Sequence, residues 1–261
     1  MSNIITSDVI GPSPGCPGIG NQLFQIASVL SYSKDNGHKA TFPAIKSSNH
    51  GGYFNNFLRR LCTDEFEGLA YVFTESSFDF KPIPVVDKSL VIKNSYLQSH
   101  RYFQHNRDHI LKMFEMVDED LNYLKSKYNV DDLTTGMHIR RGDYLELPYS
   151  NYHADLTSTD YYEKALDLLK PSKLIIFTND KEWAREKYPG HVIADEEKDY
   201  MEIYLMSLCQ NNIIANSSFS WWGAWLNNNQ GRKIVAPTKW FGPLNAHLST
   251  KDMHPKDWIL I

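Results

Sequence analysis

Residues 137–144 read MHIRRGDY, a short apolar run that ends abruptly in a dense polar cluster. Two further stretches repeat the pattern, LIIFTND at 174–180 and NIIANSSFS at 212–220, and two more apolar runs, HVIA at 191–194 and KIVA at 233–236, share their length. Between them lie amphipathic stretches. In YYEKALDLL the residues Tyr162, Ala165, Leu166 and Leu169 fall on one helical face, and in DYMEIYLMSLC so do Met201, Tyr204, Leu205 and Leu208. Strand, helix, strand, helix implies a parallel sheet, an α/β fold. Open parallel sheets bind ligands outside the carboxyl ends of their strands, where loops and helix N-termini converge, so the three polar clusters are expected to meet.

Each cluster has a bland reading and a chemical one. Adjacent arginines after a strand lie on opposite faces, so Arg140 and Arg141 are expected to do different work. A guanidinium fork suits phosphate, which makes Arg140 the expected phosphate ligand, while Arg141 is expected to turn away and pair with Asp143. The run Asn216-Ser217-Ser218 supplies a helix cap, and that helix start, with its unpaired N–H groups, accepts anions. Thr178-Asn179-Asp180 caps the helical KEWAREKY, and the Asp180 carboxylate could also accept the two N–H groups of a guanine edge.

Composition narrows the field. The chain has 261 residues, 42% hydrophobic and 22% charged, with a formal net charge of −4. That balance gives no general attraction to nucleic acid, so any anionic ligand must be met by local charge. Cys16, Cys62 and Cys209 lack metal-ligand spacing and fit a reducing compartment. No apolar run reaches the roughly 18 residues of a membrane span, and the N-terminus lacks the pattern of a signal peptide. The sequon Asn216-Ser217-Ser218 is discarded as chance. Phosphate loops of the GxxxxGK[ST] type, GxSxG elbows, HExxH and paired-cysteine zinc spacings do not occur. The Asp118-Glu119-Asp120 run lies in an amphipathic helical stretch and reads as a solvated face. Trp221 and Trp225 share a helix face and read as core.

Towards the N-terminus a Gly-rich loop, GPSPGCPGIG, opens a helix in which Leu23, Ile26, Ala27 and Leu30 repeat at helical spacing until Gly37. Residues 41–97 read as strands and loops, and 105–128 as a helix followed by a connector. The Asp131-Asp132 and Thr134-Thr135-Gly136 signals place a boundary after residue 133. The expected domains are therefore 1–133, 134–245 and a C-terminal segment 246–261.

Together, HIRRGDY, GIGNQLFQIA and NNIIANSSFSWWGAWL resemble the α1,2-fucosyltransferases of glycosyltransferase family eleven, in the family's order and over about residues 18–240. The resemblance departs at GPSPGCPGIGNQ, where prolines and Cys16 replace a plain Gly-rich turn. It implies a GT-B-like arrangement of two Rossmann-type halves, with the donor site at the carboxyl ends of the C-terminal sheet. It further implies an inverting, metal-independent transfer of L-fucose from GDP-fucose to a glycan hydroxyl, O2 of a terminal β-galactose, with no cofactor. Carried over by motif, Arg140 would bind the β-phosphate, with Arg141 beside it in the donor site. His138 and Asp180 would contact guanine. Asn216, Ser217, Ser218 and Phe219 would hold phosphate, and Gly20, Asn21 and Gln22 would face the reacting centre from the other half. The acceptor's proton would pass to Asp143, Glu146 or Asp155. The expected partners are GDP-fucose and an oligosaccharide acceptor shaped by residues 41–104 and 146–156. The expected setting is a soluble cytoplasmic enzyme of bacterial or viral type, with peripheral membrane association left open. Another GDP-sugar as donor, or a catalytically silent sugar- or nucleotide-binding module, are the rival readings.

Overall fold

The computed structural model describes residues 2–7, 18–43 and 56–261. Cys16 and the prolines of the Gly-rich loop lie outside the described residues. The chain forms two compact units, one of residues 1–117 with 251–254, the other of residues 118–250 with 255–261.

The first unit is built on a four-stranded parallel sheet of β1 (Ile4–Ser7), β2 (Lys39–Ala40), β3 (Tyr71–Thr74) and β4 (Leu90–Lys93), in the order β2-β1-β4-β3. Helix α1 (Ile19–Asn36) connects β1 to β2, buries Leu23, Phe24, Ile26, Ala27 and Leu30, and stops where Gly37 turns left-handed at φ 68°. A buried polar tie fixes it to the sheet, the Ser7 hydroxyl donating to Gln25 Oε1 at 2.8 Å. Helix α2 (Arg107–Met113) follows β4.

The second unit carries a six-stranded parallel sheet in the order β10-β9-β8-β5-β6-β7. Its strands are β5 (Thr134–Ile139), β6 (Lys173–Thr178), β7 (Val192–Ile193), β8 (Asn211–Ile213), β9 (Ile234–Ala236) and β10 (Ile259–Leu260). The helices are α3 (Asp118–Tyr128), α4 (Tyr161–Leu169), α5 (Lys181–Lys187), α6 (Asp199–Leu208) and α7 (Ser218–Leu226). β5 is buried at every residue, as a central parallel strand requires. Trp221, Trp222 and Trp225 of α7 pack together with Trp258 as core, and Gly223 lies so close to Met206 of α6 that a Cβ there would approach within 2.6 Å.

Two expectations about organisation change. Residues 118–128 form a helix of the second unit, tied to it by Tyr200 Oη donating to Asp120 Oδ2 at 3.2 Å and Tyr128 Oη donating to Glu196 Oε1 at 2.8 Å. The boundary therefore falls after Val117, ahead of the 133/134 position. Residues 246–261 are no separate segment either, since 251–254 join the first unit and β10 extends the second sheet. Asp118, Glu119 and Asp120 occupy the first turn of α3, where carboxylates complement the helix dipole.

Candidate active site

The second sheet reverses direction at its centre. From β5 the chain steps outward to β6 and β7, then crosses to β8 on the other side of β5. The switch point lies between β5 and β8, the position where such sheets hold their ligands. Arg140 follows β5 directly, and Asn216 to Phe219 follow β8.

Arg140 is half-exposed and held by Asp143. Its Nη2 lies 2.7 Å and 2.8 Å from the two carboxylate oxygens, and its guanidinium sits 5.1 Å from the ring centre of Tyr144. Tyr144 stacks in parallel on His153, with ring centres 4.0 Å apart, and its hydroxyl reaches the Asn216 carbonyl at 3.5 Å. The strand end at β5 and the helix start at β8 are thus joined through Tyr144. Burial pushes the Tyr144 hydroxyl up to about 12, with Asp143 adding to the shift and Arg140 opposing it. Burial also lowers His153. The residual charge at this edge is therefore that of Arg140 and Asp143.

At the start of α7, Ser217 is the N-cap, its Oγ accepting from Phe219 N at 3.4 Å. Ser218 and Phe219 are partly exposed, and the Phe219 ring packs against His138 with centres 5.5 Å apart. His138 is buried, and its Nδ1 has no hydrogen-bond partner among the described residues. Burial, and secondarily Arg140, pulls its pKa down to about 3 from 6.5. Between those values the unfolded chain takes up a proton that the folded chain refuses, so stability falls as pH drops below about 6.5. The thermal midpoint of the wild type is expected to fall from pH 7 to pH 5, and that of His138→Gln to fall less. Equal slopes would remove His138 as the cause.

Arg141 behaves otherwise than expected. It does not pair with Asp143; its Nε donates to Asp180 Oδ2 at 2.9 Å, its Nη1 donates to Thr157 at 2.8 Å, and it lies 4.2 Å over the Trp183 ring. The register explains this. Ile139 pairs with Thr178, so two residues further along β5 and β6 bring Arg141 beside Asp180. Both Asp180 oxygens are engaged, since the other accepts from Trp183 N as the cap of α5. The Arg141 hydrogen bond, first among the causes, holds the Asp180 carboxyl below its usual range. In this arrangement Asp180 serves Arg141 and α5.

The start of the loop after β5 is clamped by Asn179, whose Oδ1 accepts from Arg141 N at 2.9 Å and whose Nδ2 donates to the Arg141 carbonyl at 3.1 Å. Gly142 makes the clamp possible. Its φ is 55°, and a Cβ there would sit 2.6 Å from Asn179 Nδ2. Gly142→Ala is expected to cost about 1–2 kcal/mol, from the left-handed backbone alone, and to weaken nucleotide binding by displacing Arg140. Thermal melting and GDP titration check it.

Two other expected ligands are buried. The Asn216 side chain is buried and donates to the carbonyls of Ala154 at 2.9 Å and Trp240 at 2.8 Å, tying down loops rather than facing a ligand. Gln22 is 1% exposed in the first turns of α1. Gly20 and Asn21 stand in the first turn of α1, with Asn21 partly exposed. Of the carboxylates considered as bases, Asp155 caps Thr157, with Oδ1 accepting from its N–H and hydroxyl at 2.8 Å and 2.6 Å. The Tyr144–His153 stack was not legible in the sequence, because residues nine apart carry no periodic signal. Glu202 was also missed; burial raises it to about 7, and its place among the apolar residues of α6 was the available signal. Among the described residues, no three His, Cys, Asp or Glu side chains group so as to hold a metal ion, and no helix is long and apolar enough to cross a membrane.

The model of the family described as Glycosyl transferase family 11 matches residues 17–261. The chain belongs to that family. This family 11 glycosyltransferase is 29% identical to an alpha-1,2-colitosyltransferase of Escherichia coli, over 94% of this chain and 96% of that protein. It is 36% identical to the Escherichia coli O-antigen biosynthesis glycosyltransferase WbnK over 60% of this chain, spanning 58% of that relative's length. It is 23% identical to a galactoside alpha-(1,2)-fucosyltransferase 2 of Oryctolagus cuniculus over 92% of this chain and 73% of the relative. Among solved structures, NodZ alpha-1,6-fucosyltransferase soaked with GDP-fucose superimposes with a TM-score of 0.53 at 11% identity, covering 87% of this chain and 93% of NodZ. Arabidopsis thaliana FUT1, as a mutant in complex with GDP, also gives 0.53, at 13% identity, covering 90% of this chain and 70% of that one. The family 11 glycosyltransferase thus has the GT-B-like α/β fold that the motifs implied.

Proposed function

We propose that this family 11 enzyme transfers L-fucose from GDP-fucose to a glycan hydroxyl, O2 of a terminal β-galactose, with inversion at the anomeric carbon. The observation that carries the reading is Arg140, a permanent cation held half-exposed at the switch point beside the capped N-terminus of α7. That pairing of fork and helix start is suited to a diphosphate. The acceptor oxygen forms its bond to the anomeric carbon as the carbon–oxygen bond to GDP breaks, and the leaving electron pair collects on the β-phosphate. Arg140 stabilises that charge, so that the step needs no metal ion. In this reading Ser217, Ser218 and Phe219 at the start of α7 hold the phosphates, and the buried His138 contributes a polar contact to the base. Asp143, paired with Arg140, takes the acceptor proton, and Asn21 takes part in the transfer step.

The likeness to an alpha-1,2-colitosyltransferase over nearly the whole chain favours one second reading, colitose carried on the same nucleotide. Base and phosphate contacts would not separate the two sugars. A donor competition with a metal chelator present does. Under the proposal GDP binding survives the chelator and GDP-fucose is the donor used fastest; preference for GDP-colitose would move the enzyme to the second reading, and strict dependence on Mn²⁺ would end the metal-free mechanism.

A further inference from the structure

The first unit repeats at its own sheet the geometry that marks the ligand edge of the second. From β1 the chain passes to β2 on one side, while β4 lies on the other, so the switch point of this sheet falls between β1 and β4. Two side chains meet there. Asn21 stands in the first turn of α1, after β1, and Gln98 stands in the loop after β4; Gln98 Nε2 donates to Asn21 Oδ1 at 2.7 Å.

The loop that carries Gln98 is fixed on both sides. Leu97 is fully buried and holds a left-handed backbone at φ 54°, a conformation that L side chains disfavour. Its N–H donates to Glu75 Oε2 at 3.1 Å, and the Tyr102 hydroxyl donates to the other Glu75 oxygen at 3.2 Å. Ser99 N–H reaches back to the Leu97 carbonyl at 2.7 Å, and its hydroxyl donates to the Asp252 carbonyl at 2.5 Å. Such backbone persists only where its surroundings over-determine it, and it clusters at functional sites. The brace crosses three adjacent strands, since Glu75 follows β3, Gln98 follows β4 and Asn21 follows β1.

We infer that Gln98 is a positioning residue that fixes the Asn21 amide, taking up its carbonyl so that its NH2 is the group left to hold a sugar oxygen. An amide has one accepting and one donating end, and a hydroxyl oxygen accepts. The inference rests on the proposed sugar transfer and on the part given there to Asn21.

Gln98→Ala is expected to lower kcat about 10-fold or more, as misplaced groups do, with GDP affinity and thermal midpoint unchanged. In an Asn21→Ala background the same change is expected to have no further effect, because the residue through which it acts is gone. Gln98→Glu is expected to be worse than Gln98→Ala at pH 8, where a carboxylate repels the Asn21 carbonyl and turns the amide over. Its activity relative to wild type then recovers as pH falls towards the glutamate range and the acid can donate. Additive losses in the double variant, or a relative activity of Gln98→Glu that does not change with pH, overturn the inference. The contact itself is read without any donor sugar from the Asn21 side-chain NH2 signal in ¹⁵N-asparagine-labelled protein, assigned through Asn21→Ala. A shift in Gln98→Ala supports it, and an unmoved signal overturns it. Absence of transfer by the wild type would therefore defeat the donor reading alone.

Discussion

Arg140→Ala is expected to lower the transfer rate by about 10² to 10³-fold, the loss that follows removal of one preorganised electrostatic stabiliser. The variant should fold normally. Arg140 is about one-third exposed in its side chain and its ion pair with Asp143 is open to water, so removal costs little stability. Nucleotide affinity should fall as well, since the charge on the β-phosphate exists before the bond breaks. Arg141→Ala provides the contrast. That side chain bonds to Asp180 and Thr157 and covers Trp183, so its loss should lower the melting temperature while leaving more of the GDP affinity than Arg140→Ala does. Arg141→Lys should keep more of the GDP affinity than Arg140→Lys, although it too loses stability with the Thr157 bond and the Trp183 stacking. Rates and GDP affinities that fall equally at the two positions would mean that both arginines grip the diphosphate.

Trp221→Ala is expected to have the largest effect on stability, about 3–5 kcal/mol. The ring is fully buried, parallel to Trp225 at 6.2 Å, edge-on to Trp222 at 5.2 Å and 5.4 Å from Trp258. No neighbour can collapse into the space without unstacking another indole. For a unit of this size the loss corresponds to a melting temperature lower by about 10 °C or more, and calorimetry checks it. Because α7 also presents Ser217 and Ser218, GDP protection against melting should weaken with it.

The parallel sheet of the second unit was legible in the sequence because inner strands such as β5, β6 and β9 are buried and read as short apolar runs between periodic helices. That Arg140 and Arg141 have different surroundings was legible from strand alternation. Their partners were not. Which carboxylate each arginine meets depends on the register of β5 against β6 and on the 3-10 turn at Gly142–Leu145, neither of which a single segment encodes. The partners of Asn216 were hidden for a related reason, since the carbonyls of Ala154 and Trp240 come from distant loops. In the first unit the short strands β2, β3 and β4 carried little periodic signal, and the meeting of Asn21 with Gln98 follows only from strand order.

The central claim is tested most directly by incubating the purified protein with GDP-fucose and a mixture of β-galactosides under a metal chelator, then determining the linkage in any product. The account predicts released GDP and fucose joined α to O2 of the terminal galactose, in the wild type and at a rate about 10² to 10³-fold lower in Arg140→Ala. GDP bound tightly with no fucose transferred to any acceptor, or transfer undiminished in Arg140→Ala, would contradict it.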